Sequence, residues 1–110
     1  MEFAAHSTGE SESLYLQALQ SIEKKNQSET PRKIHVLEDL AYLNLMHERY
    51  EEACKFYEQA VGIKKSYYGR NAPNLKGTLR EYARALDALH KTAEAEKLRA
   101  WEKTLPIIRM

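Results

Sequence analysis

The sequence predicts an all-α fold of about five antiparallel helices, and three observations support that prediction. The 110 residues include only four glycines and three prolines, which disrupt helices, while charged residues make up 30%. Apolar side chains recur at i, i+3 and i+4, which is the spacing of an amphipathic helix. The chain also matches itself when it is shifted by 42 residues, which indicates a repeated helical unit.

Composition and charge exclude several classes of protein. The 17 Lys and Arg nearly balance the 16 Asp and Glu, so nucleic acid is an unfavoured partner. The charge is uneven, at −3 over residues 1–50 and +4 over residues 51–110. A single cysteine favours a reducing compartment. No apolar run or signal-peptide pattern points to a membrane, so we expect a cytoplasmic protein.

The first half of the chain predicts a leading helix and then a helical pair. Residues 1–7 show no helical pattern, and we expect them to be a disordered N-terminal segment or the remnant of a tag. Helical spacing covers residues 8–26. A second helix is expected to begin at Thr30, with Pro31 in its first turn, because these residue types favour a helix start. His47–Arg49 predicts a short turn before the third helix.

The second half predicts two further helices. The third helix is expected to end at Gly69, since glycine favours the position after a helix C-terminus. Ala72 and Pro73 are expected to open the fourth helix. The fifth begins near Thr92 and ends before Pro106, which cannot continue a helix.

The 42-residue shift superposes small residues that would lie between paired helices. It places Ala41 and Ala53 on Ala83 and Ala95. Alanine at these positions allows two antiparallel helices to approach closely. Each hairpin would leave an apolar face that the next hairpin covers, as in repeat proteins.

Six residues of one predicted hairpin stand at the spacing of a known repeat signature: Leu37, Leu40, Ala41, Ala53, Tyr57 and Ala60. The chain thereby resembles the tetratricopeptide repeat family, and its 42-residue period is similar to the kinesin-light-chain type. The resemblance implies a right-handed α-α superhelix over residues 8–110. Its units would be a half-repeat 8–29, a repeat 30–71 and a repeat 72–110.

The last predicted helix departs from this pattern. Arg99 and Glu102 stand where the preceding repeat has Tyr57 and Ala60. We therefore expect this helix to cap the array, because charged residues do not suit a further stacked hairpin.

The resemblance also implies a function, which is to bind a peptide or helix of another protein in a concave groove. Carried over position by position, the groove residues are His35, Glu38, Tyr42, Leu45, Lys76, Arg80, Arg84 and Asp87.

Two readings of the groove arginines stay open. Arg80 and Arg84 are four residues apart and would share a helix face, so they could hold an acidic peptide. Alternatively, they pair with Glu81, Asp87 or Glu38 and lie on a solvated face.

The sequence predicts no catalytic, cofactor or metal site. Cys54 has His47 near it in sequence, but the repeat aligns Cys54 with charged positions and supplies no second base. The histidines are scattered, and no glycine-rich phosphate loop occurs. We expect a binding protein and not an enzyme.

A second role remains open at the ends of the array. Trp101 and the apolar tail 105–108 either fold back on the last hairpin or cover a neighbouring molecule. A homodimer that forms through apolar terminal helix faces is therefore the alternative to peptide binding.

Overall fold

The computed structural model describes residues 12–18, residue 20 and residues 30–107. All regular secondary structure in these residues is helical, which confirms the all-α prediction. Residues 12–18 belong to α1, and the later helices are α2 (Thr30–Met46), α3 (Tyr50–Tyr68), α4 (Leu75–Ala88) and α5 (Thr92–Lys103). The expected disorder of residues 1–7, the ends of the leading helix and the boundaries of half-repeat 8–29 lie outside the described residues.

Helices α2 and α3 form a first hairpin, in which the two helices are antiparallel. Ala41 and Ala53 are fully buried where the helices meet, and Leu45 and Tyr57 belong to the same cluster. The alanines allow the close approach that the sequence predicts, and the larger side chains fill the space beside them.

Helices α4 and α5 form a second hairpin with the same turn as the first. Glu48 and His90, which are 42 residues apart, adopt left-handed φ values of 62° and 63°. After each of them, a backbone N–H donates to the carbonyl five residues earlier, at 2.8 Å in the first hairpin and 2.9 Å in the second. The 42-residue register of the sequence is therefore repeated in the backbone.

The connection between the hairpins corrects one prediction. Gly69 ends α3 with φ 101°, and its N–H donates to the Lys65 carbonyl at 2.9 Å, as expected of a helix C-terminus. The fourth helix, however, begins at Leu75 and not at Ala72 and Pro73. The chain uses those two residues in a turn, in which the Ala72 carbonyl accepts from the Leu75 N–H at 3.1 Å.

The second hairpin is closed by alanines and by the residues that follow α5. Ala83 and Ala95 are buried against each other's helix, at the positions that the 42-residue shift predicts. Beyond α5, Leu105 folds back and is buried in a cluster with Leu75. Ile107 remains exposed. The fold-back reading of the tail is therefore correct for Leu105.

The first helices of the two hairpins contact each other and run in the same direction. Glu38 of α2 is hydrogen-bonded to Thr78 of α4. Seven residues further along each helix, Leu45 and Ala85 belong to one buried cluster. Helix α3 contacts both α2 and α4, so it lies against the two parallel helices and forms a floor between them.

Candidate functional site

A pocket of about 410 Å³ opens where α2 and α4 stand over α3, and we call it the groove. It is lined by Glu38, Asp39 and Tyr42 of α2, by Tyr57 and Lys64 of α3, and by Asn74, Gly77, Thr78 and Glu81 at the start of α4. All three helices therefore contribute side chains to one concave surface.

One buried ammonium group joins the three helices at the base of the groove. Lys64 Nζ lies 2.6 Å from a carboxylate oxygen of Glu38 and donates to Thr78 Oγ1 at 2.9 Å and to the Asn74 carbonyl at 2.7 Å. Thr78 Oγ1 in turn donates to Glu38. A buried charge needs such a set of partners, so this network fixes the junction of the two hairpins and neutralises Glu38.

Tyr57 carries an unused polar group in the groove floor. The side chain is only 2% exposed and stacks on Tyr82, with ring centroids 6.1 Å apart. Its hydroxyl has no hydrogen-bond partner among the described residues. Burial, and then the negative charge of Glu81, raise the pKa of Tyr57 above its usual value, so the group stays a neutral hydroxyl.

The groove lining is acidic. Its charged residues are three carboxylates, on Glu38, Asp39 and Glu81, and the ammonium group of Lys64. Glu81 also pairs with Arg84 on the exposed face of α4, at 2.7 Å. The lining residues themselves carry a net charge of −2, and Arg84, which lies outside the lining, offsets part of it.

Asp39 connects the groove to a second pocket. It lies 3.3 Å from His35 Nε2 on the same helix, and its charge is the largest cause of the raised pKa of Tyr15 on α1. The second pocket, of about 250 Å³, lies between α1 and α2 and is lined mostly by apolar or aromatic side chains: Tyr15, Tyr42, Leu43 and Met46, together with Asp39. The two pockets share Asp39 and Tyr42, so they form a continuous surface.

The structure places the predicted α2 residues in different environments. Glu38 and Tyr42 line the groove, and Tyr42 is 49% exposed. His35 lies at the rim, exposed and beside Asp39. Leu45 was predicted to face the groove, and this is wrong: it is 6% exposed and packs in the core.

The predicted α4 residues mostly face α5 and not the groove. Lys76 Nζ donates to the Glu102 carbonyl at 3.0 Å, and Arg80 lies 2.7 Å from the Glu102 carboxylate. Asp87 pairs with Arg99 of α5. The 42-residue shift makes Arg80 the equivalent of Glu38 in the second hairpin. The α4 residue that contacts Glu38 is not Arg80 but Thr78, through a hydrogen bond.

Arg80 and Arg84, which the sequence suggested could hold an acidic peptide together, are each paired with a different carboxylate. Arg80 pairs with Glu102 of α5, whereas Arg84 pairs with Glu81 of its own helix. The alternative reading, in which both arginines pair with Glu81, Asp87 or Glu38, is correct for Arg84 and wrong for Arg80, whose partner Glu102 it did not name.

Sequence reasoning missed Asp39 of α2 and the residues that form the floor and the α4 wall: Tyr57, Lys64, Asn74, Gly77, Thr78 and Glu81. Lys64 had a detectable signal, because it continues the buried stripe of Tyr57, Ala60 and Val61 at helical spacing. A lysine on such a stripe must find acidic or carbonyl partners when it is buried.

Cys54 has no features of a reactive thiol. It is half-buried, and burial raises the pKa of Cys54, with Lys91 acting in the opposite direction. A protonated thiol is a weak nucleophile. Across the described part of the chain, no three His, Cys, Asp or Glu side chains group closely enough to hold a metal ion. None of the described helices is long and apolar enough to cross a bilayer.

Comparison with protein-family models and with curated proteins gives no relative on which to base an assignment. The chain matches no protein-family model and no curated protein. The proposals below therefore depend on the repeat in the sequence and on the geometry of the groove.

Proposed function

We propose that the chain is a tetratricopeptide-like module of the kinesin-light-chain type, which binds a peptide or helix of another protein and carries out no chemistry. Two hairpins with the same turn and parallel first helices are what a right-handed α-α superhelix would require. The observation that carries the proposal is the open groove between those first helices.

The chemistry of the groove favours binding over catalysis. Its buried ammonium group is held by a carboxylate, a hydroxyl and a carbonyl, so Lys64 is not available as a base or nucleophile. Tyr42 offers a half-exposed aromatic surface at the rim, and such residues are common anchors in interfaces.

Gly77 provides a direct way to test whether the groove is the binding surface. It is exposed and lines the groove, and a Cβ built on it meets no atom within 4 Å. A tyrosine at this position fills the groove without disturbing the core. Gly62 on α3 is equally open and is not part of the groove, so Gly62→Tyr is the matched control.

The experiment selects binders from a random dodecapeptide display library and measures their affinity by fluorescence polarisation. We expect groove binders to lose at least about tenfold in affinity on Gly77→Tyr and to keep it on Gly62→Tyr, because only the first variant occupies the site. Circular dichroism checks that both variants keep their helices. Peptides that bind both variants as well as the wild type would contradict the proposal.

Self-association is the second candidate function, because apolar side chains remain exposed at both ends of the described chain. Leu14 of α1 and Ile107 after α5 are each 67% exposed. Sedimentation velocity over a range of concentrations tests this candidate with a Leu14→Glu, Ile107→Glu double variant. A dimer in the wild type that the double variant loses would support it, whereas a monomer at all concentrations would exclude it.

A further inference from the structure

The charge of the groove distinguishes between classes of partner, if the groove is the binding surface that we propose. Asp39 and Glu81 stand on opposite walls, on α2 and α4, and both line the groove. Glu38 is already held by Lys64 at 2.6 Å. Glu81 pairs with Arg84 at 2.7 Å and Asp39 lies 3.3 Å from His35, but both of these partners are well exposed on the same helix as the carboxylate. Such exposed pairs are weak, so a cation that enters the groove can compete for the two outer carboxylates.

Tyr57 supplies a second, independent observation. Its hydroxyl is buried in the floor and has no hydrogen-bond partner among the described residues. A buried polar group without a partner is costly, so a ligand that brings a hydrogen bond to it gains affinity. An ammonium or guanidinium group can donate to this oxygen while it faces the carboxylates.

The pocket between α1 and α2 indicates which kind of ligand side chain would lie beside a basic group bound in the groove. Leu43 and Met46 line it, and Met46 is largely exposed. The pocket joins the groove at Tyr42 and Asp39. A ligand that places a cation between Asp39 and Glu81 would therefore have an apolar surface next to that cation.

We propose that the groove binds a peptide segment in which a lysine or arginine lies next to an aliphatic residue. The basic group faces Asp39, Glu81 and the Tyr57 hydroxyl, and the aliphatic side chain packs on Leu43 and Met46. This replaces the acidic partner that the sequence suggested, because Lys76 and Arg80 are engaged by Glu102 of α5.

The same peptide selection tests the inference separately from the proposed function. Among peptides that Gly77→Tyr no longer binds, we expect enrichment of Lys or Arg adjacent to Ile, Leu, Val or Met. Enrichment of Asp or Glu would overturn the inference and leave the groove as a peptide site. A selection without any Gly77-dependent peptide would overturn the proposed function, and this inference with it.

Charge-neutral variants test the contacts themselves with one selected basic peptide. Asp39→Asn combined with Glu81→Gln should weaken binding about tenfold at low salt and reduce its salt dependence, since two charge pairs are lost. Glu58→Gln, an exposed change on α3 outside the groove, is the control. An unchanged affinity in the double variant would overturn the inference.

Tyr57→Phe separates the role of the hydroxyl in binding from a role in the fold. We expect Tyr57→Phe to weaken the binding of the basic peptide several-fold. The urea midpoint of unfolding should stay level or rise, because the variant removes a buried polar group that has no hydrogen-bond partner among the described residues. Equal affinity in the wild type and Tyr57→Phe would contradict the assigned contact.

A second copy of the chain is the competing occupant of the groove. Sedimentation velocity of the wild type and Gly77→Tyr without peptide tests it. Self-association that Gly77→Tyr abolishes would overturn the peptide assignment, whereas equal behaviour of the two proteins supports it.

Discussion

The two hairpins share one turn geometry but differ in the chemistry of their second helices. In α3, Tyr57 and Ala60 are buried. The equivalent positions of α5 are Arg99 and Glu102, which form ion pairs with side chains of α4. Positions that the 42-residue shift makes equivalent are therefore buried in α3 but charged and ion-paired in α5.

The difference follows from the number of neighbours that each helix has. Helix α3 packs against α2 on one side and α4 on the other, whereas α5 packs on α4. Among its residues, Ala95 alone is buried. A helix with one neighbour needs one apolar stripe, so its remaining faces can be charged. That a last helix would carry charge in this way was the expectation drawn from Arg99 and Glu102 in the sequence.

The largest effect on the free energy of unfolding is expected at Tyr57, and the equivalent residue of α5, Arg99, is the comparison. Tyr57→Ala should lower the free energy of unfolding by about 3–5 kcal/mol, because it leaves a cavity under the groove. Arg99→Ala should change it far less, since Arg99 and Asp87 are both partly exposed to solvent and such an ion pair contributes little. Urea unfolding followed by circular dichroism measures both. Similar losses at the two positions would show that α5 is as deeply packed as α3.

A smaller effect is expected from two ion pairs, Glu38–Lys64 between α2 and α3 and Arg80–Glu102 between α4 and α5. Glu38→Gln weakens the partner of a buried ammonium group and should cost about 2–3 kcal/mol, because Lys64 keeps only neutral acceptors. Glu102→Gln weakens a pair in which Arg80 is well exposed, so the loss should be below about 1 kcal/mol. Guanidinium chloride is unsuitable because it screens charge, so urea is used. A larger loss for Glu102→Gln would reverse the comparison.

The smallest effect tests whether the two turns are equivalent. Glu48→Gly and His90→Gly should each raise stability by about 0.5–1 kcal/mol, since both residues are exposed and adopt a left-handed φ that glycine tolerates without strain. Thermal unfolding of the two variants gives the comparison. A gain at one turn and a loss at the other would indicate that the turns are not equivalent.

The repeat could be predicted from the sequence because it depends on local signals. Ala41, Ala53 and their partners repeat at one spacing, and Gly69 marks a helix end by its freedom to adopt positive φ. The turn at His47–Arg49 needed only the interruption of the apolar period.

The groove could be predicted only in part, because helix rotation depends on neighbours that are distant in sequence. Glu38 and Tyr42 were predicted as groove residues, and both line this pocket. Arg80 was predicted there too but does not line it, because its guanidinium pairs with Glu102 of α5. The 42-residue shift nevertheless holds in α4, where Ala83 is buried as Ala41 is in α2. The apolar stripe identifies the core face of a helix, but it does not say which of its two flanks meets α5.

The contacts of Lys64 with Glu38, Asn74 and Thr78 both shape the base of the groove and hold the two hairpins together. Its ammonium group is the single point at which α2, α3 and the start of α4 meet through polar contacts in the described chain. A ligand group that competes for Glu38 must therefore also weaken the joint between the hairpins. Groups that leave Glu38 in place, and bind only the outer carboxylates, can occupy the groove without that cost.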